Sequence, residues 1–408
     1  MSATPTEDGD VRADVAIVGA GPAGSVAAFV LARAGLDVVL MDRARFPRDK
    51  ACGDGLMPDA LAALAAIGLA DRALAGARRL TALRIYTPNG TPVTVNGEFA
   101  VVPRERLDAC LCDAAVDAGA RLLTPVRAIG PVEQNGRVAG VVGETAGGGS
   151  VCVRARTTVL ATGAGAGPLT AFGVCEQSRP SGMAARFYVV PEDEGARVDL
   201  DALCVSFNRS ICPGYGWVFP GPGGSFNIGV GYSTAAPPET KNLRVLMARF
   251  VENFPPAREL TRMAGRRSDV HGAPLRTGLT GSRLSEPGVL VVGDAAGFTY
   301  PITGEGIGKA IESGILAAEI IRDGVRANRS AEAIANAYRD GVEKTFRARF
   351  QAYENAQRWL AFPRLLDFLA WRANSGSYVR KQFRALAADI VDPRAILSFG
   401  GLIRTLFT

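Results

Sequence analysis

The 408-residue sequence predicts an α/β chain in which a parallel, Rossmann-type sheet is split by an inserted antiparallel sheet and followed by a helical C-terminal region. Three observations predict it. A glycine-spaced turn near the N-terminus joins a short apolar run to an Ala-rich helix. Segments rich in Phe, Tyr and Val, alternating with polar residues, crowd the stretch from 168 to 280. Beyond residue 331 the apolar residues recur at helical spacing.

The stretch "ADVAIVGAGPAGSVAAFVLARAGLDVVLMDRA" reads as strand, tight turn, helix, strand. Val15, Ile17 and Val18 belong to the short apolar run that a central parallel strand requires. Gly19 permits the bend, Gly21 lets a pyrophosphate approach the backbone, and Gly24 lets the helix pack closely on the strand. Ala23 lies in the same turn, where the first amides of the helix face a phosphate. Asp42 closes the second strand about 20 residues on, where a carboxylate accepts hydrogen bonds from an adenosine ribose, and Arg43 follows it. This context specifies a dinucleotide and leaves FAD and NAD open.

Two later segments bear on that choice. "TTVLATGAGAG" (157–167) is an apolar strand running into a glycine turn that contains Gly163. "GVLVVGDAAGFTYPITGEGIGKAIESGILAAEII" is a strand, a Gly-Asp turn and a glycine-rich approach to a long helix. Asp294, at the carboxyl end of that strand, suits a ribityl hydroxyl. The amides of Gly304, Gly306 and Ile307, at the helix start, suit negative charge on the pyrimidine side of a reduced flavin. A second G-x-G-x-x-G in a βαβ setting is absent, which argues against two NAD sites.

With "VVPRERLDACLCDAAVDAGARL" (101–122), these segments resemble the FAD-binding fold of the glutathione reductase and para-hydroxybenzoate hydroxylase type. The resemblance implies that Arg104, followed by Leu107 and Asp108, contacts FAD, and that Val126 lies on the adenine-side strand. Residues 1–80, 100–167 and 281–330 are then a discontinuous FAD-binding domain, and 81–99 with 168–280 a substrate domain. Residues 331–408 form the helical region.

Composition excludes several classes of function. The formal charge is +6, from 46 Lys and Arg against 40 Asp and Glu, with no long basic block, so a nucleic-acid partner is not expected. The N-terminus is polar and no apolar run approaches 18 residues, so neither a signal peptide nor a transmembrane span is expected. Seven scattered cysteines without a Cys-x-x-Cys pair point to a reduced cytoplasmic compartment. The single histidine, His271, sits in what reads as a turn, and a histidine-rich metal site is impossible.

A narrower resemblance appears at "YGWVFPGPGGSFNIGVG". The geranylgeranyl reductase family carries Tyr-x-Trp-x-Phe-Pro and then Gly-x-Gly, matched by Tyr215, Trp217, Phe219, Pro220 and Gly229-Val230-Gly231. Its Cys-Gly-(Asp/Glu)-Gly loop matches Cys52-Gly53-Asp54-Gly55, and its GDAAG…P-x-T-G-E-G-I segment matches 293–307. The three motifs agree over roughly residues 11 to 325. The resemblance implies an FAD-dependent reductase of carbon–carbon double bonds in an apolar, isoprenoid or prenyl-lipid substrate. Hydride leaves flavin N5, and an external donor such as NAD(P)H supplies the electrons.

Tyr215, Trp217 and Phe219 alternate along one strand and so face one side as a wall for substrate. Cys52 is the candidate for proton delivery or substrate positioning, and Gly53 and Gly55 suggest backbone lying close to the flavin. Flavin halogenases resemble this fold too, but their Trp-x-Trp-x-Ile-Pro signature has no clear match here. A flavin monooxygenase acting on an aromatic or polyketide substrate is the second reading, and a non-catalytic FAD-stabilised lipid- or partner-binding protein the third. At the C-terminal end, Trp359, Phe362, Leu365, Leu366, Phe368, Leu369 and Trp371 make an apolar surface interrupted at Pro363. "FGGLIRTLFT" adds another apolar patch. Such surfaces suit helix packing, a lid over a lipid tunnel, or peripheral contact with a membrane.

Overall fold

Strand Asp10–Val18 pairs in parallel with Val38–Met41 on one side and Ser150–Leu160 on the other, at the centre of an eight-stranded sheet. Val15 and Ile17 are fully buried, which accounts for the unbroken apolar run. Val289–Val291 continues the sheet in parallel with Ser150–Leu160, and Arg121–Leu123 pairs with Val38–Met41 at the other side. A hairpin of Val126–Gln134 and Arg137–Thr145 joins Ser150–Leu160 in antiparallel fashion. These elements belong to a computed structural model that describes residues 10–192, 200–233, 242–357 and 362–375.

Backbone contacts set the two helices that matter most. A Cβ on Gly24 would lie 1.9 Å from the Gly19 carbonyl oxygen, so helix Pro22–Arg33 touches the turn that launches it. A Cβ on Gly314 would lie 2.4 Å from the Ala23 carbonyl oxygen, so helix Ile307–Arg326 packs on the first helix at backbone distance. The N-termini of both helices therefore converge at the carboxyl ends of the parallel strands.

The second sheet has nine strands, in the order Ala264–Arg267, Gly182–Pro191, Phe226–Ser233, Tyr215–Pro220, Leu203–Ser206, Arg78–Tyr86, Pro92–Val101 and Gly55–Leu56, with His271–Leu275 also on Gly182–Pro191. The sequence predicts antiparallel pairing throughout, but Leu203–Ser206 runs parallel to Arg78–Tyr86. A long excursion through the first sheet separates those two strands, and a long crossover is what parallel pairing needs. Helices Leu243–Asn253 and Pro255–Arg262, absent from the expectation, cover the back of this sheet. Phe250 presses on Gly216, where a Cβ would meet its ring at 2.5 Å.

Helices Ala331–Val342, Ala348–Gln357 and Pro363–Ser375 follow. Pro363 opens the last of them instead of interrupting one, in keeping with the tolerance of proline for a helix's first turn. Trp359 and the patch at 399–408 lie outside the described residues. No helix among the described residues is long and apolar enough to cross a membrane.

Gly24→Ala is expected to destabilise the protein by about 1–3 kcal/mol, the usual cost of overpacking. Denaturant unfolding checks this; a midpoint equal to the native one would show that the turn and helix can separate freely.

Candidate active site

The convergent helix ends and the front of the antiparallel sheet enclose one cavity of ≈ 1190 Å³. Gly19, Gly21, Ala23, Asp42, Arg43, Cys52, Gly53, Arg104, Val126, Gly163, Asp294, Gly304, Gly306 and Ile307 all line it, together with Tyr215, Trp217 and Phe219. Gly24 does not; it lies behind the wall against Gly19.

One end of the cavity has the features a dinucleotide needs. Asp42 is held at its edge by the Ala20 amide at 2.8 Å and the Ala44 amide at 2.9 Å. Neither Gly21 nor Gly306 offers a side-chain cap, so the first amides of both helices are left to a ligand. The Thr162 hydroxyl, buried in the lining beside Gly163, has no hydrogen-bond partner. Asp294 accepts from the Thr299 hydroxyl at 2.8 Å, and a Cβ on Gly306 would come within 2.7 Å of that hydroxyl. An orphaned hydroxyl, a fixed carboxylate and two uncapped helix ends in one lining fit FAD.

Arg104 is buried and grips Asp108 with two bonds, Nε to Oδ1 at 2.6 Å and Nη2 to Oδ2 at 2.8 Å; Arg48 adds an ion pair to Asp108 at 3.1 Å. Burial alone would lower the guanidinium's pKa, but Asp108 and the neighbouring Cys52 thiol outweigh it and hold it above its ordinary value. Arg104 is therefore a fixed positive charge beside Cys52.

The other end of the cavity is aromatic and apolar. Rings of Tyr215 and Trp217 lie 5.9 Å apart and those of Trp217 and Phe219 6.4 Å apart. The neighbouring strand explains the Gly-x-Gly that follows them in sequence. Gly229 pairs with Trp217 and Gly231 with Tyr215, and a Cβ at either would fall within 2.0 Å and 2.9 Å of the respective ring. The rings lie over the glycines. Gly53 and Gly55 serve the same end: a Cβ on either would come within 3.1 Å or 3.0 Å of Phe219. Their smallness thus seats the Cys52 loop against the aromatic wall.

The wall continues across the sheet. Trp217 pairs with Val205, Val205 with Ile85 and Ile85 with Val93, and all four line the cavity. Three inter-strand spacings make this apolar row about 14 Å long. Leu366, Leu369 and Ala370 of helix Pro363–Ser375 line the cavity too, and the same helix leaves Phe362, just before it, and Trp371 more than half exposed.

A polar network missed at the level of sequence joins these parts. Asp54 is completely buried, at φ 65°, and one of its oxygens accepts from the Arg104 amide at 3.2 Å. The other accepts from the Tyr188 hydroxyl at 2.6 Å and the Asn227 amide at 2.7 Å. Burial raises its pKa to about 6, against the opposing effect of these three donors. Burial, then Asp54, pushes the Tyr188 phenol well up, so it remains a donor. Arg186, also buried, stacks over Tyr188 at 4.2 Å and pairs with Asp49. The other Asp49 oxygen meets His271 Nδ1 at 2.8 Å. His271 is thus the first residue of a strand at the cavity wall, where a turn was expected. Asp54 sits inside the Cys-Gly-Asp-Gly motif and Asn227 just before Gly-x-Gly, so motif proximity was an available signal; Tyr188 and Arg186 had none.

Comparison with known proteins agrees with this geometry. Residues 12–202 match the FAD binding domain family. Fold and site together define an FAD-dependent oxidoreductase. Over 331 residues the chain is 36% identical to a menaquinone reductase of Mycolicibacterium smegmatis, covering 77% of this chain and 78% of that one. It is 32% identical over 349 residues to digeranylgeranylglycerophospholipid reductase 1 of Methanopyrus kandleri, covering 83% and 88%. The crystal structure of a geranylgeranyl bacteriochlorophyll reductase-like protein from Thermoplasma acidophilum superposes with a TM-score of 0.80 at 25% identity, covering 95% of this chain and all of that one. A flavin-dependent brominase, at TM-score 0.77 and 21% identity, shares the fold alone. The chain belongs to the geranylgeranyl reductase family of FAD-dependent oxidoreductases.

Because the folded-state pKa of Asp54 is raised to about 6 from 3.8, its contribution to stability is complete below 3.8 and is lost as pH rises through about 6. Relative to Asp54→Asn, the native chain is expected to lose up to about 1.4 kcal/mol of unfolding free energy per pH unit across that window. Urea unfolding at a series of pH values measures it; parallel curves for the two proteins would show that Asp54 titrates normally.

Proposed function

We propose that the protein reduces carbon–carbon double bonds in an apolar prenyl-lipid substrate, with reducing equivalents from an external donor such as NAD(P)H. The observation that carries this reading is the apolar row Trp217–Val205–Ile85–Val93, which opens into the same cavity as the dinucleotide end. An elongated chain fits a row four strands wide better than a compact ring does. The names of the relatives, which act on menaquinone and on digeranylgeranylglycerophospholipid, support the same substrate class. The exposed Phe362 and Trp371, on the segment that walls the cavity, support entry of the substrate from a lipid surface.

FAD, when bound, supplies the hydride. Gly19, Gly21, Asp42, Arg43 and Val126 would hold its adenosine and pyrophosphate half, and Gly163, Asp294, Gly304, Gly306 and Ile307 its flavin half. The positive end of helix Ile307–Arg326 would stabilise negative charge on the bound cofactor. Trp217 and Phe219 hold the substrate chain and keep water from the reacting bond. Cys52, in the lining beside Arg104, gives a proton to the carbon next to the one that takes the hydride. Solvent then returns that proton, so each turnover adds one hydride and one proton across one double bond.

The test is anaerobic incubation of the reduced holoprotein with a prenyl quinone delivered in vesicles, with the product weighed by mass spectrometry. Two hydrogen atoms per reduced bond are expected without oxygen, and they are retained after air has reoxidised the quinone ring. Product formed only with oxygen, and carrying an oxygen atom, would establish the monooxygenase reading instead. Cys52→Ala is expected to retain FAD and to lose about 100-fold in kcat, the low end of general-acid contributions; undiminished turnover would remove Cys52 from the chemistry.

A further inference from the structure

Cys52 lies on the loop that leads into edge strand Gly55–Leu56 and Trp217 on an inner strand of the same sheet, and one buried side chain bonds to both residues. Asn227 receives the Trp217 indole N–H on its carbonyl oxygen at 2.9 Å. Its amide nitrogen donates to the Cys52 carbonyl at 2.7 Å and to Asp54 at 2.7 Å. The orientation of the amide is fixed by its neighbours. Turned over, it would set N–H against the indole N–H and oxygen against both the Cys52 carbonyl and the Asp54 carboxylate. Both of its N–H donors and its carbonyl oxygen are thus used to join loop to wall.

Asp54 completes the arrangement from the loop side. Its amide donates to the Cys52 sulfur at 3.4 Å, and its carboxylate takes Tyr188, Asn227 and the Arg104 amide. The residue holds a positive φ, a conformation that Asp tolerates better than most side chains, and its bound carboxylate helps hold the Cys52 turn in it. A loop that needed only an anchor already has one in the packing of Gly53 and Gly55 under Phe219. A buried carboxylate with no cationic side chain hydrogen-bonded to it is a costly addition to that packing.

We propose that Asp54 and Asn227 are positioning residues that form a clamp, fixing where the Cys52 thiol sits relative to the Trp217 ring. The thiol and the aromatic wall then share one register, so that the substrate chain laid on Trp217 presents its double bond to Cys52. The mechanical part of this clamp is independent of the substrate; its part in turnover rests on the reductase reading above.

Alkylation of Cys52 by iodoacetamide in the FAD-loaded protein, read by mass spectrometry on the Cys52 peptide, tests the clamp without any substrate. Asn227→Asp preserves shape while removing both donors, to the Cys52 carbonyl and to Asp54, and Asp54→Asn preserves shape while setting an NH2 group against either the Arg104 amide or the Asn227 amide. Each is expected to raise the Cys52 labelling rate about tenfold, as loss of a buried hydrogen bond to a charged group allows. kcat is expected to fall about tenfold with KM changed less than about threefold, the signature of lost positioning in the transition state. Tyr188→Phe, which removes one bond to Asp54 and little else, gives a smaller rise and serves if the other variants fail to fold. Labelling unchanged in Tyr188→Phe and in every FAD-retaining variant overturns the clamp. Labelling that rises in a protein that reduces no prenyl substrate upholds the clamp and defeats the reductase reading.

Discussion

A carboxylate buried without a hydrogen-bonded cation is the constraint around which this molecule is arranged. Asp54 lies where three segments meet: the loop after the second parallel strand, the start of helix Arg104–Asp117, and the second sheet through Tyr188 and Asn227. Desolvation of a charged carboxylate is costly, and each of the donors offsets part of it. The family motif that contains Asp54 thus joins the cavity loop to helix Arg104–Asp117 and to the second sheet.

The joint makes a single chamber with two chemical characters. Toward the parallel sheet it offers amides, a fixed carboxylate and an orphaned hydroxyl, which suit a dinucleotide. Toward the antiparallel sheet it offers rings and aliphatic side chains in cross-strand register. Cys52 and Arg104 lie at the boundary, a thiol beside a permanently charged guanidinium. Dinucleotide features, an apolar bed and a thiol are thereby brought within one enclosure.

Much of this was legible in the sequence where the signal is local. The G-x-G-x-x-G turn, the apolar central strand and the start of helix Ile307–Arg326 follow from spacing alone, because each is a contact between near neighbours. The alternation of Tyr215, Trp217 and Phe219 predicted a shared face for the same reason. Partners separated by more than a hundred residues left no such trace: Tyr188 and Asn227 reach Asp54 across 134 and 173 positions. The parallel pairing of Leu203–Ser206 depends on where the chain has been, not on what those four residues are. His271 reads as a turn from its neighbours Gly272 and Pro274, and becomes a strand only because Gly182–Pro191 offers it an edge.

Cofactor and lipid chain are proposed to share one cavity, with the chain laid across the strands. The most direct measurement is a crystal structure of the FAD-loaded protein with a saturated prenyl analogue. The account predicts continuous density for the chain in van der Waals contact, within about 4.5 Å, with Trp217, Val205, Ile85 and Val93. An analogue bound only at the exposed Phe362 and Trp371, with that row left clear, would contradict it.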